Sequence, residues 1–559
     1  MELLDSRRLT GANILSSRPG AVIDVAIPEA ERARVIAAWG EHARRLLDAL
    51  GWDGEQTFVR ESADGASLAI SAPIDVLYAA TEVNESAWTA AVAEASGLPA
   101  PDTAGELGRL RAEIDAEANP ALLALRTAAI ERGVAFLSDD DLVSVGMGTG
   151  SRTWPRNELP APSEVDWSAL RDVPTAMITG TNGKTTTVRL LAAIAAAAGR
   201  CAGITSTDRV CVGDEVIEEG DWSGPGGARL VLRDRRTEVG LLETARGGML
   251  RRGLAIEACD VAAVLNVAAD HLGEWGVGTL QSLAEGKFVV TRVARCVVLN
   301  ADDAVVLRLS EELACEVVWF TLEPDSLVLA HHVARGGRAA WLENGALWMC
   351  HGTQRERLIG VDEVPITIGG AARYNVANAL AAAAIAERLG FSLDEIRAGL
   401  RDFKSDRHAN PGRMNQFEFD GVRAICDFAH NPHGFEALFD LVRHIPAKRR
   451  LVLLGQAGDR EEASVREMVA ITVAAHFDMI VIKELTEHLR GRELGEVPAI
   501  IESELRALGV PEDRFIHCAS ELEAVDWALA WAQPGDLLLL LAHDKRDEVL
   551  ERLEAHAAR

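Results

Sequence analysis

Residues 174–199 read PTAMITGTNGKTTTVRLLAAIAAAAG, and this stretch decides the fold. The apolar run PTAMIT predicts a buried strand, GTNGKTTT predicts a glycine-rich turn, and VRLLAAIAAAAG predicts a helix. A strand, a glycine-rich turn and a helix in that order are typical of a parallel α/β sheet that binds a phosphate at the turn. The alternative is that the glycines only make a tight turn.

The turn contains every feature that a nucleotide triphosphate requires. Glycines let backbone N–H groups turn toward an anion, and the start of the helix adds partial positive charge. Lys184 is placed to reach the β and γ phosphates, and Thr185 to ligate magnesium. GxxGKT is shorter than the common GxxxxGK[ST] pattern. The predicted nucleotide-binding residues of this loop are Gly180, Thr181, Asn182, Gly183, Lys184, Thr185 and Thr186.

The segments that follow the loop repeat the same pattern. EVGLLE (238–243), DVAAVLNV (260–267) and CVVLN (296–300) are short apolar runs that end in polar or glycine-rich turns. Such runs, alternating with helices, predict a parallel sheet whose ligands bind beyond the carboxyl ends of the strands. A second series, with strands predicted in 421–430, 449–458, 478–484 and 536–544, predicts a smaller Rossmann-like α/β domain.

The first part of the chain has a different composition. A helix is predicted over 29–51 and short strands at FVRES (58–62) and SLAISA (67–72), which together indicate an α+β unit. The Pro- and Gly-containing segment 145–167 has the composition of a linker or of a draped connection. We therefore predict three domains, at 1–165, 166–411 and 412–559.

The bulk properties exclude several classes of protein. A length of 559 residues favours two to four domains. The net charge of -28 argues against binding to nucleic acid or to anionic membranes. The first residues lack the apolar core of a secretory signal, and no apolar run approaches the roughly 20 residues that span a bilayer, which predicts a cytoplasmic protein. The eight cysteines form no CxxC pair and are read as reduced core residues, with zinc ligation or disulfides as alternatives.

Three further residues are candidates for metal and phosphate chemistry. Glu243 ends one predicted strand, where a carboxylate could bind magnesium; the alternative is a helix cap or a buried ion pair. His271, in AADHLG, could ligate a second cation or contact the γ phosphate, or be a structural histidine. Lys287, in LAEGKFVV, lies on the helix that follows and is the third candidate; the alternative is an ordinary surface lysine.

These motifs occur in a diagnostic order. GTNGKTTT, Glu243, DHLG, Lys287, RYNVANALAAAAIA (373–386), NPGRMN (410–415) and DFAHNPHG (427–434) together resemble the Mur ligase superfamily. Within it, ETARGGMLRRGL, NVAADHLG and SDRHANPGRMN are most similar to the cyanophycin synthetases, as is DSRRLTGANILSSRPGAVIDV (5–25) in the N-terminal part. The resemblance implies a Mur ligase-like P-loop central domain, a Mur ligase C-terminal domain and an N-terminal domain like that of cyanophycin synthetase.

The resemblance also implies roles for single residues. Lys184 and Thr185 would hold the triphosphate and its Mg²⁺, and Glu243 and His271 would arrange the metal ions. Lys287 matches a lysine that is carbamylated in several Mur ligases and then ligates magnesium. Lys184, His271 and Lys287 are thus predicted to be catalytic.

The remaining predicted contacts surround the nucleotide. Asn375 and Asn378 match asparagines near the adenine, and Asp427 would bind the ribose hydroxyls. Arg413, also predicted to be catalytic, matches an arginine that reaches the phosphates from the third domain, and His430 would face the same region. For Asn378 and His430 a purely structural role is the alternative.

The chain departs from the family at two points. Phe428 stands where DYAHNP has a tyrosine, so a hydrogen bond from that hydroxyl is lost. The ATP-grasp domain of the cyanophycin synthetases has no counterpart between the N-terminal part and the P-loop. We therefore expect one ATP site, one kind of ligation, and no alternating two-amino-acid polymer made unaided.

The sequence thus predicts an ATP- and Mg²⁺-dependent ligase that activates a carboxylate as an acyl phosphate and joins it to the amine of an amino acid or short peptide. Arg246, Arg251 and Arg252 are candidates for holding an acidic substrate, or are solvated or ion-paired. The alternatives are a catalytically weak ATP-binding scaffold subunit that partners another ligase, and transfer of folate or cell-wall type. Relatives of this kind often form homo-oligomers, and we expect the same here.

Overall fold

The computed structural model describes residues 1–99, 102–270 and 273–558, without the side chains of residues 103 and 274. Four sheets define three units, which we call the N-terminal, central and C-terminal units. They carry strands β1–β7, β8–β18 and β19–β24, whose bounds follow.

The N-terminal unit has an antiparallel sheet of order β1-β2-β4-β3, packed on helices, and a small sheet of order β5-β6-β7. The predicted helix and both predicted strands are present. Because Arg152–Pro155 form β7, the expected linker over 145–167 is only partly right. The elements are β1 Glu2–Leu9, β2 Gly20–Ala26, α1 Glu29–Ala49, β3 Thr57–Glu61, β4 Gly65–Ser71, α2 Leu77–Ala95, α3 Thr103–Glu117, α4 Pro120–Glu131, β5 Phe136–Ser138, β6 Leu142–Val145 and β7 Arg152–Pro155.

The central unit is one sheet of order β11-β10-β9-β12-β8-β13-β14-β15-β16-β17-β18. Adjacent strands are parallel along the stretch β9-β12-β8-β13-β14-β15-β16. The strands at both edges, β11-β10 next to β9 and β17-β18 next to β16, are antiparallel. The elements are β8 Thr175–Thr179, α5 Lys184–Ala197, β9 Ala202–Thr205, β10 Arg209–Val212, β11 Glu215–Glu219, α6 Pro225–Arg233, β12 Val239–Glu243, α7 Arg246–Arg252, β13 Cys259–Val264, α8 Leu280–Phe288, β14 Ala294–Asn300, α9 Ala304–Ser310, β15 Glu316–Thr321, α10 Leu327–Ala334, β16 Arg338–Glu343, β17 Ala346–His351, β18 Gln354–Gly360, α11 Arg373–Arg388 and α12 Leu393–Asp402.

The C-terminal unit has a six-stranded sheet of order β19-β20-β24-β21-β22-β23, parallel except at β19. The elements are β19 Asn415–Phe419, β20 Val422–Asp427, α13 Pro432–His444, β21 Arg450–Leu454, α14 Glu462–Ala474, β22 Met479–Lys483, α15 Glu496–Ala507, β23 Phe515–Cys518, α16 Glu521–Trp531, β24 Leu537–Leu541 and α17 Arg546–Ala557.

Burial explains why the apolar runs became central strands. Every residue of β8, β12 and β24 is buried, as expected of parallel strands covered on both faces. The alanine-rich helix α11 packs against α5 and this sheet, since small side chains permit close approach. The predicted α/β class with a parallel sheet is confirmed.

The two larger sheets place their carboxyl ends around one cleft. In the central unit β8 leads into the loop 180–183, and β12 ends at Glu243. In the C-terminal unit β20 leads to Phe428, β21 to Gln456 and β24 to His543. Polar groups at the strand ends of both units therefore face one space, which is where ligands bind in open α/β sheets.

Candidate active site

The cleft between the central and C-terminal units holds about 940 Å³. The loop 180–185 lines its base, and segments of β12, α7 and α8 line the wall beside it. The opposite wall comes from loops of the C-terminal unit. This volume suits a nucleotide and part of a second substrate, because ligand pockets commonly span roughly 300–1,000 Å³.

The loop is held open by backbone geometry that only glycine adopts readily. Gly183 precedes α5 with φ +89°, and a Cβ there would lie 2.3 Å from Oδ1 of Asn378. The Lys184 ammonium donates to the carbonyl oxygens of Gly180 (3.0 Å) and Thr181 (3.1 Å). It thus lies over the loop, where a phosphate oxygen can replace a carbonyl as its acceptor. Thr186, the last predicted residue of this set, is buried in the first turn of α5.

Asn182 at the tip of the loop joins the two larger units. Its backbone N–H donates to Oδ1 of Asn266 at 2.9 Å, at the end of β13. Its side-chain amide donates to Oδ1 of Asn431 at 3.1 Å and lies 2.9 Å from Nδ1 of His433, both in the C-terminal unit. The tip of the loop is therefore in direct contact with the C-terminal unit.

Glu243 and two threonines form a candidate magnesium site. The Glu243 side chain is only 2% exposed, and it accepts hydrogen bonds from the hydroxyls of Thr185 (2.8 Å) and Thr207 (3.1 Å). Among the described residues no basic side chain pairs with this carboxylate. A buried carboxylate beside a hydroxyl, without a cationic partner, suits a divalent cation, so the residues fit Mg²⁺.

The protein offers few other ligands near that carboxylate. Within 1–99, 102–270 and 273–558, no three His, Cys, Asp or Glu side chains converge as a metal cluster. Magnesium characteristically keeps several waters and uses one or two carboxylates together with substrate phosphates. Such coordination needs no denser cluster than Thr185 and Glu243 provide.

Lys287 is buried inside the wall of the cleft. Its side chain on α8 is 4% exposed, and no hydrogen-bond partner for it lies among the described residues. Burial lowers the pKa of Lys287 well below its usual value, and the nearby positive charge of Lys184 lowers it further, although Asp270 acts the other way. The surface-lysine alternative is therefore wrong. The lowered pKa favours the neutral amine, which is the form that reacts with carbon dioxide to give a carbamate.

His271 lies outside the described residues, so its predicted metal and catalytic roles stay predictions. The adjacent Asp270 forms a salt bridge across the cleft with Arg460 of the C-terminal unit, at 2.5 Å. Its other oxygen lies 3.9 Å from Nε2 of His430. Burial lowers the pKa of His430 to about 4, outweighing the attraction of Asp270, so the imidazole is neutral near pH 7.

Arg413 and Asp427 lie on the C-terminal side of the cleft. The Arg413 guanidinium lies 5.3 Å from the ring centre of Phe428, so the phenylalanine supports it through a cation–π contact that needs no hydroxyl. Asp427 accepts the backbone N–H groups of Met414 (3.0 Å) and Ala429 (2.8 Å). Burial raises the pKa of Asp427, although these N–H groups and Arg413 lower it.

Asn375 and Asn378 are buried rather than displayed in the cleft. Asn378 donates to Oδ1 of Asn375 at 3.1 Å, and Asn375 donates to the carbonyl of Ile366 at 3.2 Å. Asn378 also packs against Gly183 of the loop. The contact of both asparagines with adenine stays a prediction. In the structure, Asn378 instead packs against the phosphate loop at Gly183.

Three arginines of α7 line the remaining wall of the cleft. Arg246, Arg251 and Arg252 all line the cleft. Arg251 lies 5.4 Å from the ring centre of Trp275, and Arg7 of β1 lies 4.9 Å from the same ring. The N-terminal unit thus supports the positively charged side of the cleft, where an acidic group is favoured.

Sequence reasoning missed two residues of this site. Thr207 and Asp208 follow β9, a strand of only four residues, Ala202–Thr205. Both lie beyond a carboxyl end of the parallel part of the sheet. The rule that singled out Glu243 and His271 would have found them if β9 had been recognised.

Two family models match the chain. Residues 178–386 match the Mur ligase middle domain, and residues 412–543 match the domain described as Mur ligase, glutamate ligase domain. Among solved structures, E. coli FolC in complex with ADP, without folate substrate, has a TM-score of 0.51 and 21% identity. The alignment covers 69% of this chain and 90% of that one, and it supports the fold.

Curated relatives of known family are also similar to this chain. Cyanophycin synthetase of Trichormus variabilis is 39% identical over 372 residues, 66% of this chain and 41% of that protein. The 2,6-diaminopimelate ligase of Geobacter metallireducens that acts on UDP-N-acetylmuramoyl-L-alanyl-D-glutamate is 27% identical over 414 residues, 69% of this chain and 76% of that protein. The chain spans about two fifths of the length of the cyanophycin synthetases it matches. No described helix is both long and apolar enough to cross a membrane.

Proposed function

This chain belongs to the Mur ligase superfamily through its middle and C-terminal domains, and we propose that it is an ATP-dependent ligase that joins a carboxylate to an amine. The observation that carries the proposal is the single cleft in which Lys184, Glu243 and Lys287 of the central unit face Arg413 of the C-terminal unit. Nucleotide binding alone would not require both a buried lysine and a buried carboxylate that has no basic partner among the described residues.

The proposed reaction has two steps. A substrate carboxylate oxygen attacks the γ phosphorus of ATP, the bond to the β–γ bridging oxygen breaks, and ADP leaves. The amine nitrogen then attacks the acyl carbon of the acyl phosphate, loses a proton, and expels inorganic phosphate. Catalysis rests on positioning and on electrostatic stabilisation of the transferring group.

Each residue of the cleft has a part in this scheme. Lys184 leaves its loop carbonyls to bind the phosphates, and Arg413 neutralises charge on them from the opposite wall. Thr185 and Glu243 would hold Mg²⁺, which when bound supplies positive charge beside the phosphates. Lys287, if carbamylated, would supply an additional anionic ligand for Mg²⁺.

The substrates of this chain are proposed by class. The relatives are cyanophycin synthetases and cell-wall ligases, so an amino acid or short peptide is the proposed amine. The substrate that supplies the carboxylate is proposed to be an acidic molecule, because Arg246, Arg251 and Arg252 place positive charge along the cleft. We propose one nucleotide site, between the two larger units, and therefore one kind of ligation, and we propose that the chain forms a homo-oligomer.

A coupled phosphate assay tests the proposal. The protein, ATP and Mg²⁺ are mixed with a panel of acids and amines, and phosphate release is measured. We expect release only when both substrates are present, and its loss in Lys184→Ala. Nucleotide binding without release on any pair would favour the scaffold function, and release that persists in the variant would refute the site.

A reaction with hydroxylamine tests whether an acyl phosphate intermediate forms. If an acyl phosphate forms, hydroxylamine should replace the amine and give a hydroxamate of the acid. Lys404→Ala serves as the matched control, because Lys404 is an exposed lysine just beyond α12. It should form hydroxamate at the wild-type rate.

A further inference from the structure

Asp208 occupies an unusual position between the two larger units. It lies in the turn after β9, and its side chain is only 9% exposed. Oδ2 accepts a hydrogen bond from Arg189 at 2.7 Å, and Oδ1 accepts one from Arg546 at 2.5 Å. The guanidinium of Arg413 is 4.0 Å from Oδ2. One carboxylate is therefore surrounded by three arginines.

The three arginines come from both sides of the cleft. Arg189 belongs to α5, the helix that begins at the phosphate loop. Arg413 precedes β19, and Arg546 begins α17, so both belong to the C-terminal unit. Asp208 thus connects the helix behind the phosphate loop with the arginine proposed to contact the phosphates.

Positive groups surround Asp208, and the exposed carboxylate of Asp547 lies 3.9 Å from Nε of Arg546. Burial would raise the pKa of Asp208, but Arg413, Arg189 and Arg546 outweigh burial and lower the pKa to about 2. The nearby Arg209 adds a fourth positive charge. The Nε atoms of all four arginines are buried without a hydrogen-bond partner in the described structure. Loss of the Asp208 charge would leave mutually repelling guanidiniums at the interface.

Asp208 is also adjacent to the candidate magnesium site. The preceding residue, Thr207, donates its hydroxyl to Glu243. Arg413 lies between Asp208 on one side and the ring of Phe428 on the other. The turn 207–208 therefore contacts the candidate metal site through one residue and the phosphate-binding arginine through the next.

We propose that Asp208 is a positioning residue that holds the C-terminal unit closed on the cleft and fixes Arg413 for phosphoryl transfer. Closure is supported by the contacts of Asp208 with Arg189, Arg413 and Arg546. The role of Arg413 in phosphoryl transfer rests on the proposed function.

Asp208→Asn tests the proposal, because asparagine keeps the shape and removes the charge. Small-angle scattering of the nucleotide-free protein should show a larger radius of gyration for the variant than for wild type. In the complete reaction kcat should fall at least about tenfold, since hydrogen bonds to charged groups contribute about 1.5–3 kcal/mol and 1.4 kcal/mol is a factor of ten. The Kd for ADP should change less than about threefold, because the phosphate loop is unaltered.

Two further variants separate positioning from a general loss of structure. Glu215→Gln removes a carboxylate from β11, where Glu215 pairs with Arg236 far from the C-terminal unit; it should match wild type in every measurement. Asp208→Glu restores the charge and should recover part of kcat. A general structural role would instead raise Kd and lower the melting temperature together.

The outcomes are distinguishable. An unchanged radius of gyration in Asp208→Asn, or a kcat within twofold of wild type, overturns the inference. Wild-type protein that closes through Asp208 but binds no ATP would leave closure supported and refute both the role of Arg413 and the proposed function.

Discussion

Replacing Glu243 with glutamine should separate magnesium binding from nucleotide binding. The carboxylate is buried, accepts the hydroxyls of Thr185 and Thr207, and has no basic partner in the described part of the chain. Glutamine keeps the shape and one carbonyl oxygen, and either hydroxyl can rotate to accept from the new amide. The fold should therefore tolerate Glu243→Gln, whereas a cation beside it loses a full negative charge.

The magnitude follows from that single lost charge. Contacts to charged groups contribute about 1.5–3 kcal/mol. The Kd for ATP in the presence of Mg²⁺ should thus rise between about 10- and 150-fold. With EDTA in place of Mg²⁺, wild type and variant should bind ATP with equal Kd, because Lys184 and the loop are unchanged. Isothermal titration calorimetry under both conditions measures this difference.

Glu238→Gln is the matched control for that experiment. Glu238 lies just before the opposite end of the same strand, β12, where it accepts the backbone N–H of Cys201 at 2.8 Å. Its variant should bind ATP as wild type does with and without Mg²⁺. An equal loss of affinity in Glu243→Gln under both conditions would refute the assignment of Glu243 to the metal.

Three further predictions follow from the same cleft. Lys184→Met should weaken ATP binding at least about tenfold with or without Mg²⁺, because a charged phosphate contact is lost; equal affinity in calorimetry would contradict this. Lys287→Met should raise the free energy of unfolding near pH 7, because burial disfavours the charged lysine in the folded chain but not in the unfolded one. This gain should fade as the pH approaches 10.5 in urea titrations. Bicarbonate should stimulate wild type but not this variant. For His430, whose pKa is lowered from 6.5 to about 4, stability should fall as the pH drops through that window, and His430→Gln should reduce this acid sensitivity; identical pH profiles would count against it.

Much of the central fold could be predicted because its signals are local. The buried runs at β8, β12 and β24 are apolar and followed by polar turns, so their strand character is clear from the sequence. The phosphate loop was equally clear, since Gly183 and Lys184 lie between a strand and a helix. Burial of Lys287 could not be predicted, because its neighbours along α8 do not reveal which elements cover it.

The contacts between units lay beyond sequence reasoning. Asp208 and Arg546 are 338 positions apart, and neither stands in a recognised motif. Arg7 and Trp275, which bring the N-terminal unit to the wall of the cleft, are likewise far apart in the sequence. Such pairs depend on how whole sheets are placed, which no local pattern determines.

Transfer of an oxygen isotope tests the central claim most directly. An acid substrate found in the phosphate assay is labelled with ¹⁸O in its carboxylate, and the products are examined by mass spectrometry. If the carboxylate attacks the γ phosphorus and the amine then expels phosphate, one labelled oxygen must appear in the inorganic phosphate for each amide formed. Amide formation with unlabelled phosphate would contradict the account.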